Sequence, residues 1–244
     1  MILRAALAWM VMFGVAQAAT CKDVTYAENA YSICTVDMNT ETLRLFLNDN
    51  AGVPYGHFGI LNNALQGTGK KLGFAMNAGM YHENRSPVGH HIEDGVEIMR
   101  VIPNAGPGNF GLLPNGVLCL QDKQANVIET LRYLDEKPAC TYATQSGPML
   151  VIDGELHPRF LATGTSRYIR NAVGTTADGA TAVFAISNDT VTFHEFGSFF
   201  RDHLKLPQAL FMDGNVSRLY APQLGRNDIG RRLGPIIGTV VPAN

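Results

Sequence analysis

Three times along this chain, a short apolar run stops at a loop of glycine and polar residues. The runs are Phe74-Ala75-Met76-Asn77-Ala78-Gly79-Met80-Tyr81, Thr144-Gln145-Ser146-Gly147-Pro148-Met149-Leu150 and Leu210-Phe211-Met212-Asp213-Gly214-Asn215-Val216-Ser217. Apolar runs this short, bounded by glycine, have the length of strands rather than helices. Strand ends hold side chains on a rigid frame, and glycine lets a ligand come close to the backbone. The N–H groups of such turns can also form an anion-binding nest. Any one of the three could be ordinary turn chemistry, because Asp-Gly and Ser-Gly are common turn pairs. Together they mark candidate site loops on a sheet.

The rest of the chain fits a sheet-based domain. Its 25 glycines are spread out, which indicates many tight turns and no flexible linker. Tyr31–Val36 reads as a strand. Leu43, Leu45 and Leu47 alternate as in a half-buried strand, and the two segments look like a hairpin joined near Met38-Asn39-Thr40. Phe58–Gln66 reads as a short helix. A further β region begins at Leu118-Cys119, and Met149–Ile152 reads as a strand closing on an Asp153-Gly154 turn. Asn171–Thr175 and Thr181–Ile186 flank Asp178-Gly179, a strong hairpin signal. Phe193–His203 places Phe196, Phe199, Phe200 and Leu204 on one helical face, and Pro207 stops that helix. Ala209–Met212 is then a buried strand. The expectation is an α+β fold: a single domain over residues 19–244, built on one mixed, mostly antiparallel sheet with a few flanking helices. The chain has no internal repeat and no low-complexity segment.

Residues 1–18 have the parts of a secretory signal: Arg4, an apolar run from Ala5 to Val15, and Ala16-Gln17-Ala18 as a small-x-small cleavage site. The run is about half of the roughly 20 residues that span a bilayer, so cleavage before Ala19 is expected over anchoring. No later segment is apolar enough to cross a membrane. Removing 18 of the 244 residues leaves 226, with 18 basic and 21 acidic side chains and a net charge near −3. At 46% hydrophobic and 16% charged, the chain can build a core. Without a basic block, a nucleic-acid partner is not expected. Cys21, Cys34, Cys119 and Cys140 are an even set in an exported chain, which reads as two disulfides. Three connectivities exist; Cys21–Cys34 and Cys119–Cys140 are favoured because each closes a short loop. Zinc would call for paired Cys-x-x-Cys spacing, which is absent. The expected location is the periplasm or the extracellular space.

Among candidate chemical groups, Asp213 directly follows a buried strand, where a charge needs a partner or a purpose. Arg170 could pair with it or bind an anionic substrate through its planar fork. Glu93 and Asp94 could face a cleft, whereas Asp153, Asp178 and Asp189 sit in turns and read as structural. The stretch His82-Glu83-Asn84-Arg85 to His90-His91 lacks His-Glu-x-x-His spacing, so a surface or cleft-lining role is expected over a metal site. Ser146 and Ser217 lie in candidate loops, but no Gly-x-Ser-x-Gly elbow is present to make either a nucleophile.

The ordered set of loops resembles the phosphodiester glycosidase domain family, the type found in the mammalian uncovering enzyme and in many exported bacterial proteins. The residues that carry the resemblance are Asn77-Ala78-Gly79-Met80-Tyr81, Pro87-Val88-Gly89, Ser146-Gly147-Pro148, Arg170-Asn171-Ala172-Val173-Gly174 with Asp178-Gly179 beyond it, and Asp213-Gly214-Asn215-Val216-Ser217. They follow one another over about residues 72–240. Ala78, Met80 and Asn215 depart from the family's glycine, aromatic and glycine. The resemblance implies hydrolysis of the bond between a sugar's anomeric carbon and a phosphodiester. Asp213 and Arg170 would be catalytic. Asn77, Gly79, Tyr81, Gly89, Ser146, Gly147, Gly214 and Ser217 would bind the carbohydrate or phosphoglycan substrate. No cofactor is indicated, and a divalent ion that helps to hold the phosphate stays open. The alternatives are a non-catalytic glycan-binding module on the same fold, or a hydrolase of another linkage.

Overall fold

A computed structural model describes residues 19–243, without the side chain of Asn215. The expected signal segment, residues 1–18, and Asn244 lie outside the described residues. The strands form three antiparallel sheets rather than the one expected. The first has seven strands in the order Thr20–Tyr26, Asn29–Asp37, Thr181–Ser187, Asn171–Thr175, Gln208–Phe211, Met149–Ile152, Glu155–Leu156. The second has five, in the order Arg226–Asn227, Leu219–Ala221, Lys70–Asn77, Ile236–Pro242, Leu43–Phe46. The third also has five, in the order Val96–Met99, His91–Glu93, Tyr142–Ser146, Gly116–Gln121, Gln124–Glu129.

The alternation of side chains explains how three sheets make one domain. Every second residue of the central strands points into a shared core: Cys34, Val36, Phe184 and Ile186 from the first sheet, Leu43, Phe74, Met76 and Ile237 from the second, and Leu118, Leu120 and Tyr142 from the third. The intervening residues are also apolar, and each sheet covers them with its own helix. Tyr31, Ile33, Ala172 and Ala185 pack with Phe196, Phe199 and Phe200 of the Phe193–His203 segment. Leu72, Ala75 and Ile236 pack under Phe58 and Leu61 of helix Phe58–Gln66. Val117, Cys119 and Ala143 pack with Tyr133 of helix Thr130–Glu136. Strands buried on both faces read as near-continuous apolar runs, which is the pattern the sequence shows.

The helix over the first sheet starts at a capping box, in which Thr192 accepts from Glu195 N and the Glu195 side chain accepts from Thr192 N. It runs as α-helix over Phe193–Ser198 and loosens into a π-helical turn over Phe199–His203. The Phe199 ring stacks on Tyr31 at 4.0 Å.

One expected hairpin is not formed. Asn29–Asp37 pairs with Thr20–Tyr26 through a turn at Ala27-Glu28, while Leu43–Phe46 joins Ile236–Pro242 in the second sheet. Both disulfides are Cys21–Cys34 and Cys119–Cys140, as expected. Cys21 and Cys34 are direct cross-strand partners in the hairpin that does form. No helix among the described residues is long and apolar enough to cross a membrane.

Candidate active site

The seam between the first two sheets brings together Asn77, Asp213 and Ser217. Asn77 ends a strand of the second sheet, and Asn171 begins a strand of the first. Asn171 Nδ2 donates to Asn77 Oδ1 at 3.1 Å and to Asn77 O at 3.2 Å. Asn77 Nδ2 donates to Asp213 O at 2.8 Å, and Asn77 Oδ1 also accepts from Arg218 N at 2.9 Å. Ser217 Oγ donates to Asn171 Oδ1 at 3.1 Å. Asn77 and Asn171 are both fully buried. A buried amide is stable only when its donors and acceptors are used, so this network fixes the loop that carries Asp213 against both sheets. Asp213 N, donating to Ala78 O at 3.3 Å, ties the same loop to the first candidate loop.

Asp213, Gly214 and Arg170 line one cavity of about 450 Å³, together with Met80, Asn109, Ser166, Tyr168, Phe193 and Phe211. Arg170 is 2% exposed. Its Nε donates to Val191 O at 2.9 Å and one Nη to Ser166 O at 3.1 Å. Its Cζ lies 3.7 Å from the centre of the Phe193 ring and 5.5 Å from those of Phe211 and Tyr168. Removal from water disfavours the charged form and pushes the guanidinium down to about 10, which leaves it a cation at neutral pH. The cavity thus holds a carboxylate and an aromatic-walled cation, a combination suited to a substrate that carries an anion beside a reacting carbon.

The other sequence-predicted residues are not part of this lining. A Cβ on Gly79 would lie 2.5 Å from Gln145 O, one on Gly89 2.6 Å from the Phe110 ring, and one on Gly147 2.6 Å from Asn115 Cβ. These glycines let loops pack on one another. Ser146 is fully buried, and its Oγ has no hydrogen-bond partner among the described residues. The Tyr81 hydroxyl donates to Arg232 O at 3.1 Å; burial, then the charge of Asp213, push its ionisation up. Met80 takes the place in the lining. Ser217 faces a separate recess with Arg218, Arg226 and Asp228.

Glu93 and Asp94 lie elsewhere. Glu93 Oε1 is 2.8 Å from His91 Nε2, while Asp94 accepts from the Tyr142 hydroxyl and from Arg44 at 3.3 Å. His82, Glu83 and Asn84 are exposed, as expected of a surface role, whereas His90 and His91 are buried, contrary to it. The His90 ring nitrogens are each 2.9 Å from a partner, Met99 O and the Tyr133 hydroxyl. Among the described residues, no group of three or more His, Cys, Asp or Glu is placed to hold a metal ion. Another recess, of about 360 Å³ beside Glu41 and Tyr142, has no arginine in its lining and none of the sequence-predicted residues. Gly108, Asn109, Ser166, Tyr168 and Phe193 of the lining, and Asn171 of the network, were not singled out as site residues from the sequence. Asn171 carried a signal, its place directly after Arg170.

Residues 70–238 match the family described as phosphodiester glycosidase. The chain belongs to the phosphodiester glycosidase family. The match takes in Asn77, Arg170 and Asp213, and membership supports a glycosidase-type hydrolytic function on a carbohydrate. Over 217 residues the chain is 31% identical to the uncharacterized protein YigE of Escherichia coli (strain K12), covering 88% of this chain and 83% of that protein. The fold is similar to the catalytic domain of zebrafish N-acetylglucosamine-1-phosphodiester alpha-N-acetylglucosaminidase auto-inhibited by its pro-peptide, with a TM-score of 0.60 and 14% identity over 91% of this chain and 81% of that one. A hypothetical protein from Synechocystis gives a TM-score of 0.59 and 13% identity; the match covers 91% of this chain and 62% of the other. At these identities the structural likenesses establish the phosphodiester glycosidase fold alone.

Proposed function

We propose that the protein is an exported hydrolase that cleaves the glycosidic bond of a sugar-1-phosphodiester or a related envelope phosphoglycan. The observation that carries this reading is that Arg170 and Asp213, from the ends of different strands, line one cavity. In this reaction the bond from the anomeric carbon to the phosphate oxygen breaks, and its electron pair leaves with the phosphate. Water supplies the new oxygen, so the products are a free sugar and a phosphate monoester. Positive charge develops at the anomeric carbon, where the Asp213 carboxylate stabilises it and can take a proton from the attacking water. A phosphate is already a good leaving group, so the cavity has little need of a strong general acid. Arg170 holds the phosphate oxygens, and its charge counts for more inside a dry cavity than in water.

The neighbours of the site act through position. Asn77 grips Asp213 by its carbonyl, Asn171 braces Asn77, and Ser217 braces Asn171 in turn. Gly79, Gly89 and Gly147 let their loops pack closely, with Tyr81 and Ser146 near them in the chain, and Gly214 forms part of the cavity wall. Two disulfides and the signal-like residues 1–18 support export to the periplasm or beyond, with Ala19 as the first residue of the mature chain. The test is incubation with an aryl ester of N-acetylglucosamine 1-phosphate and, in parallel, a simple aryl glycoside. Release of free sugar from the phosphodiester alone is expected. Binding without turnover would favour a glycan-binding module, and turnover of the glycoside alone would favour a hydrolase of another linkage.

A further inference from the structure

Of the aromatic rings around Arg170, two are committed to the protein. Phe193 stacks on Phe160 at 5.1 Å and 6°, carries the Arg170 cation at 3.7 Å, and meets Phe211 edge-on at 4.8 Å. Phe211 is in turn 1% exposed, and its ring closes on Gly214, where a Cβ would lie 2.3 Å away. Tyr168 differs: it lines the same cavity and is 60% exposed. Its backbone is nonetheless fixed. Tyr168 N donates to Val191 O at 3.2 Å, and Val191 N donates to Tyr168 O at 2.9 Å. The same Val191 carbonyl accepts from Arg170 Nε. An exposed ring on a pinned backbone, two residues from a buried cation and on the same side of the chain, is built to receive something.

The order of groups says what that is. The reacting carbon must meet Asp213, and the phosphate must meet Arg170. The alcohol, which stays esterified to the phosphate, then extends toward the exposed rim, where Tyr168 stands. We infer that Tyr168 is the specificity-determining residue for the alcohol side of the phosphate, its ring selecting flat-faced cyclic alcohols over open-chain ones. The inference rests on the proposed sugar-1-phosphodiester reading of the cavity.

The test compares three esters of N-acetylglucosamine 1-phosphate, made with methanol, benzyl alcohol and the 6-hydroxyl of methyl glucoside. Binding to wild type, Tyr168→Ala and Tyr168→Phe is measured by calorimetry, and turnover is measured as KM and kcat. Wild type should bind at least one of the cyclic esters about fivefold more tightly than the methyl ester, the scale of one aromatic contact. Tyr168→Ala should lose that preference through KM with kcat unchanged, and Tyr168→Phe should keep it. Whether benzyl, glucosyl or both show the preference identifies the ring chemistry. Equal binding of all three esters by wild type, or a preference that survives in Tyr168→Ala, overturns the inference and leaves the reading of the cavity standing. Failure of wild type to bind any of the three overturns that reading, and the inference with it.

Discussion

Arg170 offers the sharpest separation between a residue that holds the fold and one that holds a ligand. Its guanidinium makes two hydrogen bonds to carbonyls and lies 3.7 Å over the Phe193 ring. Each charged hydrogen bond contributes about 1.5 kcal/mol and the ring contact about 1 kcal/mol more. Against this stands the cost of removing the cation from water, several kcal/mol before its partners compensate. Arg170→Met keeps the apolar stem, gives up those contacts and relieves that cost. The terms oppose one another, so the net loss of stability should be only about 1–2 kcal/mol. No such cancellation applies to a bound phosphate, which loses a charged, two-pronged partner. A loss of about 3 kcal/mol there is roughly 100-fold in kcat/KM. Arg170→Lys keeps the charge without the planar fork and should fall between. The assay is kcat/KM on a sugar-1-phosphodiester beside a urea unfolding curve for each variant. A folded Arg170→Met within twofold of wild-type kcat/KM would refute the role given to this cation.

Three further outcomes follow from the structure. Asn77→Ala removes the side-chain bonds to Asp213 O, Arg218 N and Asn171 Nδ2, so it should cost about 3 kcal/mol and lower Tm by roughly 8 °C in a scanning calorimeter, with kcat falling as the Asp213 loop loosens. Replacing Cys119 and Cys140 together by Ser frees a loop closed over a sequence separation of 21 and should cost about 3 kcal/mol in a denaturant titration. Burial raises the Glu41 carboxyl to about 7, so the folded state holds its proton at pH values where the unfolded chain has released it. Stability should therefore decline as pH rises from about 4.5 to 7, and Glu41→Gln should flatten that decline and unfold at a higher temperature than wild type at pH 8.

What could be read from the sequence divides along a physical line. Local signals were legible: Phe58–Gln66 is a helix with the bounds its pattern gave, and Asp178-Gly179 does turn the Asn171–Thr175 and Thr181–Ser187 hairpin. The hairpin at Met38-Asn39-Thr40 failed because a better one was hidden. Ala27 and Glu28 both adopt positive φ, 46° and 66°, in a two-residue turn that usually advertises itself by Asn-Gly. Nothing in Ala-Glu signals it; the Cys21–Cys34 pair does, since the two face each other across that hairpin. Three sheets were read as one because strands buried on both faces show no alternation to say which sheet they join.

The site shows the same division. Asp213 and Arg170 stood out as charges next to buried strands, and both line the cavity. Tyr168 and Phe193 carried no signal, since an exposed tyrosine in a loop and the first phenylalanine of an aromatic helix are ordinary until Arg170 is seen between them. Gly79, Gly89 and Gly147 entered as substrate contacts through the family resemblance. That a Cβ at each would meet Gln145, Phe110 and Asn115 depends on tertiary contacts and could not be read from the sequence.

The most direct measurement is release of free sugar from a sugar-1-phosphodiester by the purified protein, beside Asp213→Asn. Wild type should release sugar and phosphate monoester in equal amounts, and Asp213→Asn should bind the substrate while turning it over at least about 100-fold more slowly. Full activity in Asp213→Asn, or no release by wild type from a substrate that it binds, would contradict the account.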